Sequence, residues 1–422
     1  MLDCIFYLKE IFMKNKLWTK DFTIITVGSV ISMLGSTLSG FAMSLLVLDY
    51  TGSTFLFATY NVLYFLPSAI IPVLCGPFLD RFSRRKTIYV LDFVTAALYV
   101  AMTFLLWRGI FNFVLLAACS VALGAIGSVY FVAYDSFYPL LISEGNYQKA
   151  YSVASTLETL TMVMVPVSAF VYNTVGIVPL FAFDAATYFI AAVMETRISD
   201  AEKYLEDRRI TDGKVGRRLA GDFMEGMRYL WSEKGLLAVA VYFGFSALAG
   251  GATGAVTLPY FKNTFENGEY IFMLVWGAGS LARALGGAVH YNLKLPVKRK
   301  FAIAFCVYIL LAVLEGGYLY FPIPVMMGMC FADGLLGITS YTIRIAATQK
   351  YVPDDKKGRF NGAFNTISTV GNTVGGLAAG ALAEFMNERY IVTGFMAVVL
   401  VAALTFIGGR RKDVARIYNV ED

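Results

Sequence analysis

The sequence predicts an all-α membrane protein, with twelve transmembrane helices in two pseudo-symmetric six-helix bundles. Three observations carry this reading. The 422 residues are 58% hydrophobic and only 15% charged, with a mean hydropathy of +0.63. A soluble chain of that length needs far more polar surface to cover its core. Apolar stretches of about 20 residues recur from end to end, the length that crosses ~30 Å of hydrocarbon. One long polar segment, 197–234, divides these stretches six and six.

Apolar runs between charge or Gly/Pro clusters place the spans at 22–48, 55–79, 87–107, 111–133, 147–172, 176–196, 235–258, 270–292, 301–321, 323–345, 360–383 and 390–409. A β-barrel would show alternating segments of about ten residues, and these runs are longer and apolar on every face. The chain thus divides into an N-terminal segment (1–21), a first bundle (22–196), a linker (197–234), a second bundle (235–409) and a tail (410–422). Within the linker, "RRLAGDFMEGMRYLWSEKG" spaces Leu219, Phe223, Met227 and Leu230 as one face of an amphipathic helix, expected on the inner membrane surface. "TLTMVMVPVSAF" in span 5 and "STVGNTVGGLAAG" in span 11 form a weak internal repeat, consistent with two related halves.

Orientation follows from the 35 Lys and Arg residues. Thirty lie before span 1, after span 12, in alternate loops or, for Lys149, at the cytoplasmic edge of span 5, and three (Arg108, Lys262, Arg389) lie on the opposite side. The remaining two, Arg283 and Arg344, fall inside spans. The asymmetry places both termini in the cytoplasm and the chain in the plasma (inner) membrane. The net charge of +5 is no argument for nucleic acid, because in a membrane protein the placement of basic residues matters more than their sum. Leu2–Phe12 is a short apolar stretch without a cleavage site, so no removable signal is expected, and Met13 is an alternative start. The five cysteines (Cys4, Cys75, Cys119, Cys306, Cys330) show no paired spacing, and a lone His290 rules out a multi-histidine metal centre. No metal or cofactor is expected.

The densest charge cluster is "GPFLDRFSRRKTI" (76–88), in the cytoplasmic loop between spans 2 and 3. Its Gly76, Asp80, Arg81, Arg84 and Arg85 resemble the signature loop of the major facilitator superfamily, although Ser83 stands where a second glycine is usual. A glycine admits a neighbouring helix, and a carboxylate is favoured at a helix N-terminus and beside a guanidinium. The resemblance implies that Asp80 meets the start of span 11 at Lys357–Phe360, including Arg359, and that Arg84 pairs with Asp135 at the inner end of span 4. Such a cluster would close the cytoplasmic side and break when the protein opens inward. "SVISMLGSTLSGFAMSLLVLDYTGS", "FAFDAATYFIAAV", "EGMRYLWSEKGLLAV" and "GRFNGAFNTISTVGNTVGG" extend the likeness to the macrolide-efflux and enterobactin-exporter branch. That branch implies gradient-driven export of a medium-sized, largely apolar or amphiphilic compound. Lysophospholipid or lipid-linked flipping and siderophore export remain open within the same fold.

Two features depart from proton-coupled drug exporters of the superfamily. Span 4 carries no arginine, and span 5 keeps Pro166 without the glycines that usually accompany it. Span 11 is richer in glycine, with Gly371, Gly375, Gly376 and Gly380, a spacing that suits close helix packing.

Charges inside spans are costly and usually functional. Glu158 in span 5 and Arg283 in span 8 lie at similar depth, and in this superfamily those spans pack together, so the two are expected to pair. Asp333 in mid-span 10 is the first candidate for proton coupling or cation recognition, with Glu158 second. Asp184 is read as a packing residue, whereas Asp92, Glu315 and Glu384 lie near span ends and read as interfacial. Arg344 is expected to snorkel or to join the cytoplasmic gate. Met33 and Met43 of span 1, with Tyr130, Tyr134, Tyr242, Phe243, Phe245, Trp276 and Tyr341, are expected to line a pliable cavity. No phosphate loop, HExxH, GxSxG or dinucleotide fingerprint occurs, so an enzyme is not expected and the energy source is an ion gradient. The expected partners are a small-molecule substrate, a coupling ion (H+) and membrane lipid, with the chain acting as a monomer.

Overall fold

The structure is a computed structural model that describes residues 17–79, 82–143, 146, 150, 153, 164, 167–199, 215–292 and 296–419. Among the described residues it is helical throughout, without strands. The long helices are α1 (Lys20–Thr51), α2 (Thr54–Leu79), α3 (Arg84–Trp107), α4 (Phe113–Phe137), α5 (Ile177–Glu195), α6 (Val215–Ser232), α7 (Lys234–Thr264), α8 (Gly268–Asn292), α9 (Lys300–Gly317), α10 (Ile323–Tyr351), α11 (Asp354–Ala383), α12 (Glu388–Ala402) and the short α13 (Arg411–Tyr418). Residues 167–175 are also helical. Nine helices among the described residues are long and apolar enough to cross a membrane. Most of span 5 lies outside the described residues, and α8 and α11 are not among the nine although they run for 25 and 30 residues.

The chain groups into two compact units. Unit 1 holds residues 1–51 and 63–213; unit 2 holds 52–62 and 214–422. The first turns of α2 thus belong with the second half of the chain.

In unit 1, α1 presents a stripe of small residues, with Gly28, Ser29, Ser32, Gly35 and Ser39 all buried. The hydroxyls of Ser29 and Ser32 are accommodated by carbonyls one turn back, Ser29 Oγ on Ile25 O (2.7 Å) and Ser32 Oγ on Gly28 O (3.2 Å). This lets α1 lie tightly on α5: a side chain at Gly35 would overlap Asp184 and Thr187. Asp184 is itself buried and accepts from Thr187 Oγ1 (3.2 Å). A core of Phe22, Ile25, Ile88, Phe137 and Tyr138 closes one end of the unit.

Ser83, where the resemblance calls for glycine, is the N-cap of α3. Its backbone is extended (φ −63°), and its hydroxyl accepts from Lys86 N at 3.1 Å. No glycine conformation is required there, so a capping hydroxyl is the better residue for starting a helix.

In unit 2, α7 and α11 cross on glycine. A side chain at Gly251, Gly371 or Gly375 would run into backbone of the facing helix. Gly371 and Gly375 of α11 are therefore packing positions at this crossing, whereas Gly380 packs on Ala58 of α2. The amphipathic helix α6 buries Leu230 and lays Gly226 directly on the Arg359 carbonyl of α11. At the chain's end, α13 buries Tyr418, whose hydroxyl meets that of Tyr308 on α9 at 2.7 Å.

Candidate functional site

The charged residues inside unit 2 converge on a cavity of about 210 Å³. Its shape is set by where glycine stands. On α7, Gly250 and Gly254 line it, and nothing lies within 4 Å of where their side chains would be. Opposite, α8 and α10 touch at Gly279 and Gly334, where a side chain on Gly334 would overlap the Gly279 carbonyl and approach Ala282 Cβ at 2.9 Å. This close crossing holds α8 and α10 so that Arg283 and Asp333, from one and the other, reach the same space.

Arg283 Nη2 stands 3.9 Å from Asp333 Oδ2. The arginine side chain is 64% exposed and the aspartate 21%, so the pair opens toward the cavity from the guanidinium side. The other carboxylate oxygen of Asp333 is buried and meets no hydrogen-bond partner. Glu315, in the last turn of α9, lines the same cavity. Two carboxylates thus share one guanidinium in a wall that also carries the hydroxyls of Thr253 and Ser280 and the rings of Trp276 and Tyr318. Trp276 stacks on Phe272 with ring centroids 5.7 Å apart. Chemically, the site can hold an excess negative charge, a proton or an added cation, beside an aromatic surface.

The other expected residues are dispersed. Asp80, Arg81 and Glu158 lie outside the described residues, and with them the expected contacts of Asp80 and the Glu158–Arg283 pairing. Gly76 lies within α2. Arg84 donates to the Ser136 carbonyl (3.0 Å), next to Asp135, and Arg85 donates to the Ile198 carbonyl (2.6 Å). Arg359 pairs with Glu225 of α6 (2.6 Å). Met43 is buried in α1 and Met33 half-buried. Tyr130 and Tyr134 stack in unit 1 at 6.0 Å. Tyr242 is buried against Tyr308 at 4.5 Å, and Phe245 stacks on Phe406. Phe243 and Tyr341 join Phe364 around the Arg344 guanidinium, at 4.8, 5.5 and 4.7 Å from the ring centroids. Arg344 is therefore held by aromatic faces within unit 2, in place of snorkelling. Of the aromatics expected at a cavity, Trp276 lines this one.

Two residues read as interfacial are not. Glu315 faces the cavity, and Asp92 is 1% exposed inside unit 1. Position near a span end does not report which way a side chain turns.

The Major Facilitator Superfamily family model matches residues 25–376. Among curated proteins, the chain is 24% identical to the MFS-type transporter YkuC of Bacillus subtilis (strain 168), covering 95% of each chain. It is 21% identical to macrolide efflux protein A of Streptococcus pyogenes, covering 94% of this chain and 98% of that one. Among solved structures, a bacterial homologue of the iron transporter ferroportin in an inward-facing state superposes with a TM-score of 0.68. It is 13% identical and covers 93% of this chain and 99% of that one.

Proposed function

The chain belongs to the Major Facilitator Superfamily, and we propose that it is a secondary-active exporter of a medium-sized, apolar or amphiphilic compound. The observation that carries the proposal is the unit 2 cavity, where Arg283, Asp333 and Glu315 meet beside Trp276 and Tyr318. The similarity to a macrolide efflux protein supports the outward direction and the cargo class. In this reading the aromatic wall takes the apolar body of the cargo. The charged trio recognises its polar group and exchanges it for a proton. With Asp333 ionised, Arg283 is held at the carboxylate. A proton on Asp333 weakens that attraction and leaves the guanidinium and Glu315 to rearrange. Alternation between inward and outward access then couples proton entry to cargo exit.

We further propose twelve spans with both termini cytoplasmic, in the plasma membrane, and a boundary between the two six-helix halves at 197–234. The segment 76–88 serves as the cytoplasmic gate. Its support is local: Arg84 and Arg85 tie the start of α3 to carbonyls in the last turn of α4 and just past the end of α5, so the segment moves with those helix ends.

The test is reconstitution in liposomes under an imposed pH gradient, with efflux of a panel of macrolides, dyes and siderophores. Wild type is expected to move at least one compound faster than empty vesicles, and Asp333→Asn to abolish the gradient dependence. Movement of labelled lysolipid alone would replace the exporter by a flippase. Unchanged gradient-driven transport in Asp333→Asn would remove the coupling role.

A further inference from the structure

Unit 1 contains a second pair of acidic residues, in surroundings unlike those of the cavity. Asp92, two turns into α3, and Glu195, the last residue of α5, are side-chain neighbours. Asp92 is 1% exposed and Glu195 0%. Both oxygens of Glu195 and Oδ2 of Asp92 are buried without a hydrogen-bond partner. From α1, Gly28 presses on the site: a side chain there would come within 3.3 Å of Glu195 Oε1. From α4, Tyr130 lies beside Glu195, and its hydroxyl is 3.4 Å from Ser29 Oγ.

Among the described residues, the titratable groups that face the pair include Tyr130 and Tyr134 on α4 and Tyr188 on α5. The guanidinium of Arg85, two turns before Asp92, donates to the Ile198 carbonyl just past the end of α5 (2.6 Å). Two adjacent carboxylates in an apolar bundle cannot both remain ionised. An orphaned buried oxygen demands a donor. A single proton meets both demands, because it turns one carboxyl into the donor that the other lacks. A metal cation would need several oxygen ligands, and no group of three or more metal-binding side chains occurs among the described residues.

We infer that Asp92 and Glu195 hold one proton between them and form a proton-binding site separate from the cavity of unit 2. The inference concerns proton occupancy alone and does not rest on the transport reading. The pair carries one negative charge when loaded and two when empty, so release of the proton destabilises the contact between α3 and α5. Carboxamide variants imitate the loaded state: in Glu195→Gln or Asp92→Asn, the amide N–H donates to the remaining carboxylate.

The test is infrared spectroscopy of the full-length protein in liposomes, titrated from about pH 5 to 9, in potassium and in sodium salt. A free carboxyl is ionised well below pH 7. Wild type is expected to retain the carbonyl band of one protonated carboxyl at pH 7. That band is expected to vanish in either single carboxamide variant and to persist in Asp333→Asn. Absence of the band in wild type, or its persistence in both carboxamide variants, would overturn the assignment. A band removed by sodium at constant pH would overturn it in favour of a metal-cation site. Should neither variant fold, persistence of the wild-type band in Asp184→Asn and in Asp333→Asn, together with the sodium control, decides the outcome, and its loss in Asp184→Asn would overturn the assignment. These results are independent of cargo movement, so failure here and failure of the transport reading are distinguishable.

Discussion

Each unit sets a pair of neighbouring carboxylates among apolar helices, yet the two pairs solve the resulting electrostatic problem differently. In unit 2, Asp333 and Glu315 share a cavity with Arg283, and the arginine is more than half exposed to that space. In unit 1, Asp92 and Glu195 are sealed between α3 and α5, with α1 closed against them. A counter-charge needs room to stand, whereas a proton needs none. The difference teaches that the open cluster is suited to a cargo and the sealed pair to the smallest of ligands.

The largest expected effect follows from closing the room in unit 2. Gly334→Leu would drive a side chain into the Gly279 carbonyl and Ala282, forcing α8 and α10 apart. Overpacking of this kind costs about 3 kcal/mol and removes the juxtaposition of Arg283 with Asp333. Thermal unfolding of the purified protein is expected to shift sharply downward, and cargo efflux to disappear. Wild-type stability with wild-type efflux would show that the glycine contact is not what positions the charges.

Next comes the counter-charge itself. Arg283→Ala leaves Asp333 and Glu315 together in the cavity, the condition that unit 1 meets with a proton. If the comparison is right, the variant gains a protonated carboxyl in the infrared spectrum and loses gradient-driven efflux by about tenfold or more, equivalent to ~1.4 kcal/mol. Arg283→Lys is expected to retain part of the activity, because a point charge remains without the planar fork. An alanine variant with unaltered efflux and no new protonated group would erase the distinction between the two regions.

Much of this was legible in the sequence, for identifiable reasons. Composition and the length of the apolar runs specify a helical membrane protein, since lipid leaves few alternatives for backbone groups. Arg283 and Asp333 stand out because nothing around them in the sequence is charged. Glu195 does not, because Arg197 follows two residues later and makes it look like part of an interfacial cluster. Asp92 and Glu315 were misplaced for the same reason: distance from a span end fixes depth but not the direction of the side chain. The Arg359–Glu225 contact depends on how α6 lies on α11, a tertiary fact that the helical periodicity of 215–232 does not contain.

The units also contrast in how they start a helix. In unit 1, α3 is capped by its own Ser83. Ser83→Ala is expected to cost about 1 kcal/mol, and Ser83→Gly only a few tenths. Denaturation of the purified variants checks the order. If glycine were the more damaging, the hydroxyl would not be acting as a cap.

In unit 2, α2 is likewise capped by its own Ser53, which accepts from Leu56 N (3.1 Å), and is held in addition from a distant part of the chain. Glu384, just past the end of α11, accepts from Ser53 Oγ (2.7 Å) and from Phe55 N (3.1 Å). The Ser53 hydroxyl and then the Phe55 amide hold its carboxyl below the usual glutamate value of 4.5. A carboxyl that titrates lower when folded stabilises the fold fully above its ordinary value. That contribution is lost as the pH falls through the lowered one. The group is exposed, so solvent screening keeps the effect below about 1 kcal/mol. Wild type is therefore expected to lose slightly more thermal stability than Glu384→Gln between pH 5 and pH 3, the two curves converging at the acid end. Parallel curves over that interval would show that the negative charge contributes nothing to this helix start. Ser53 alone would then start α2, as Ser83 starts α3.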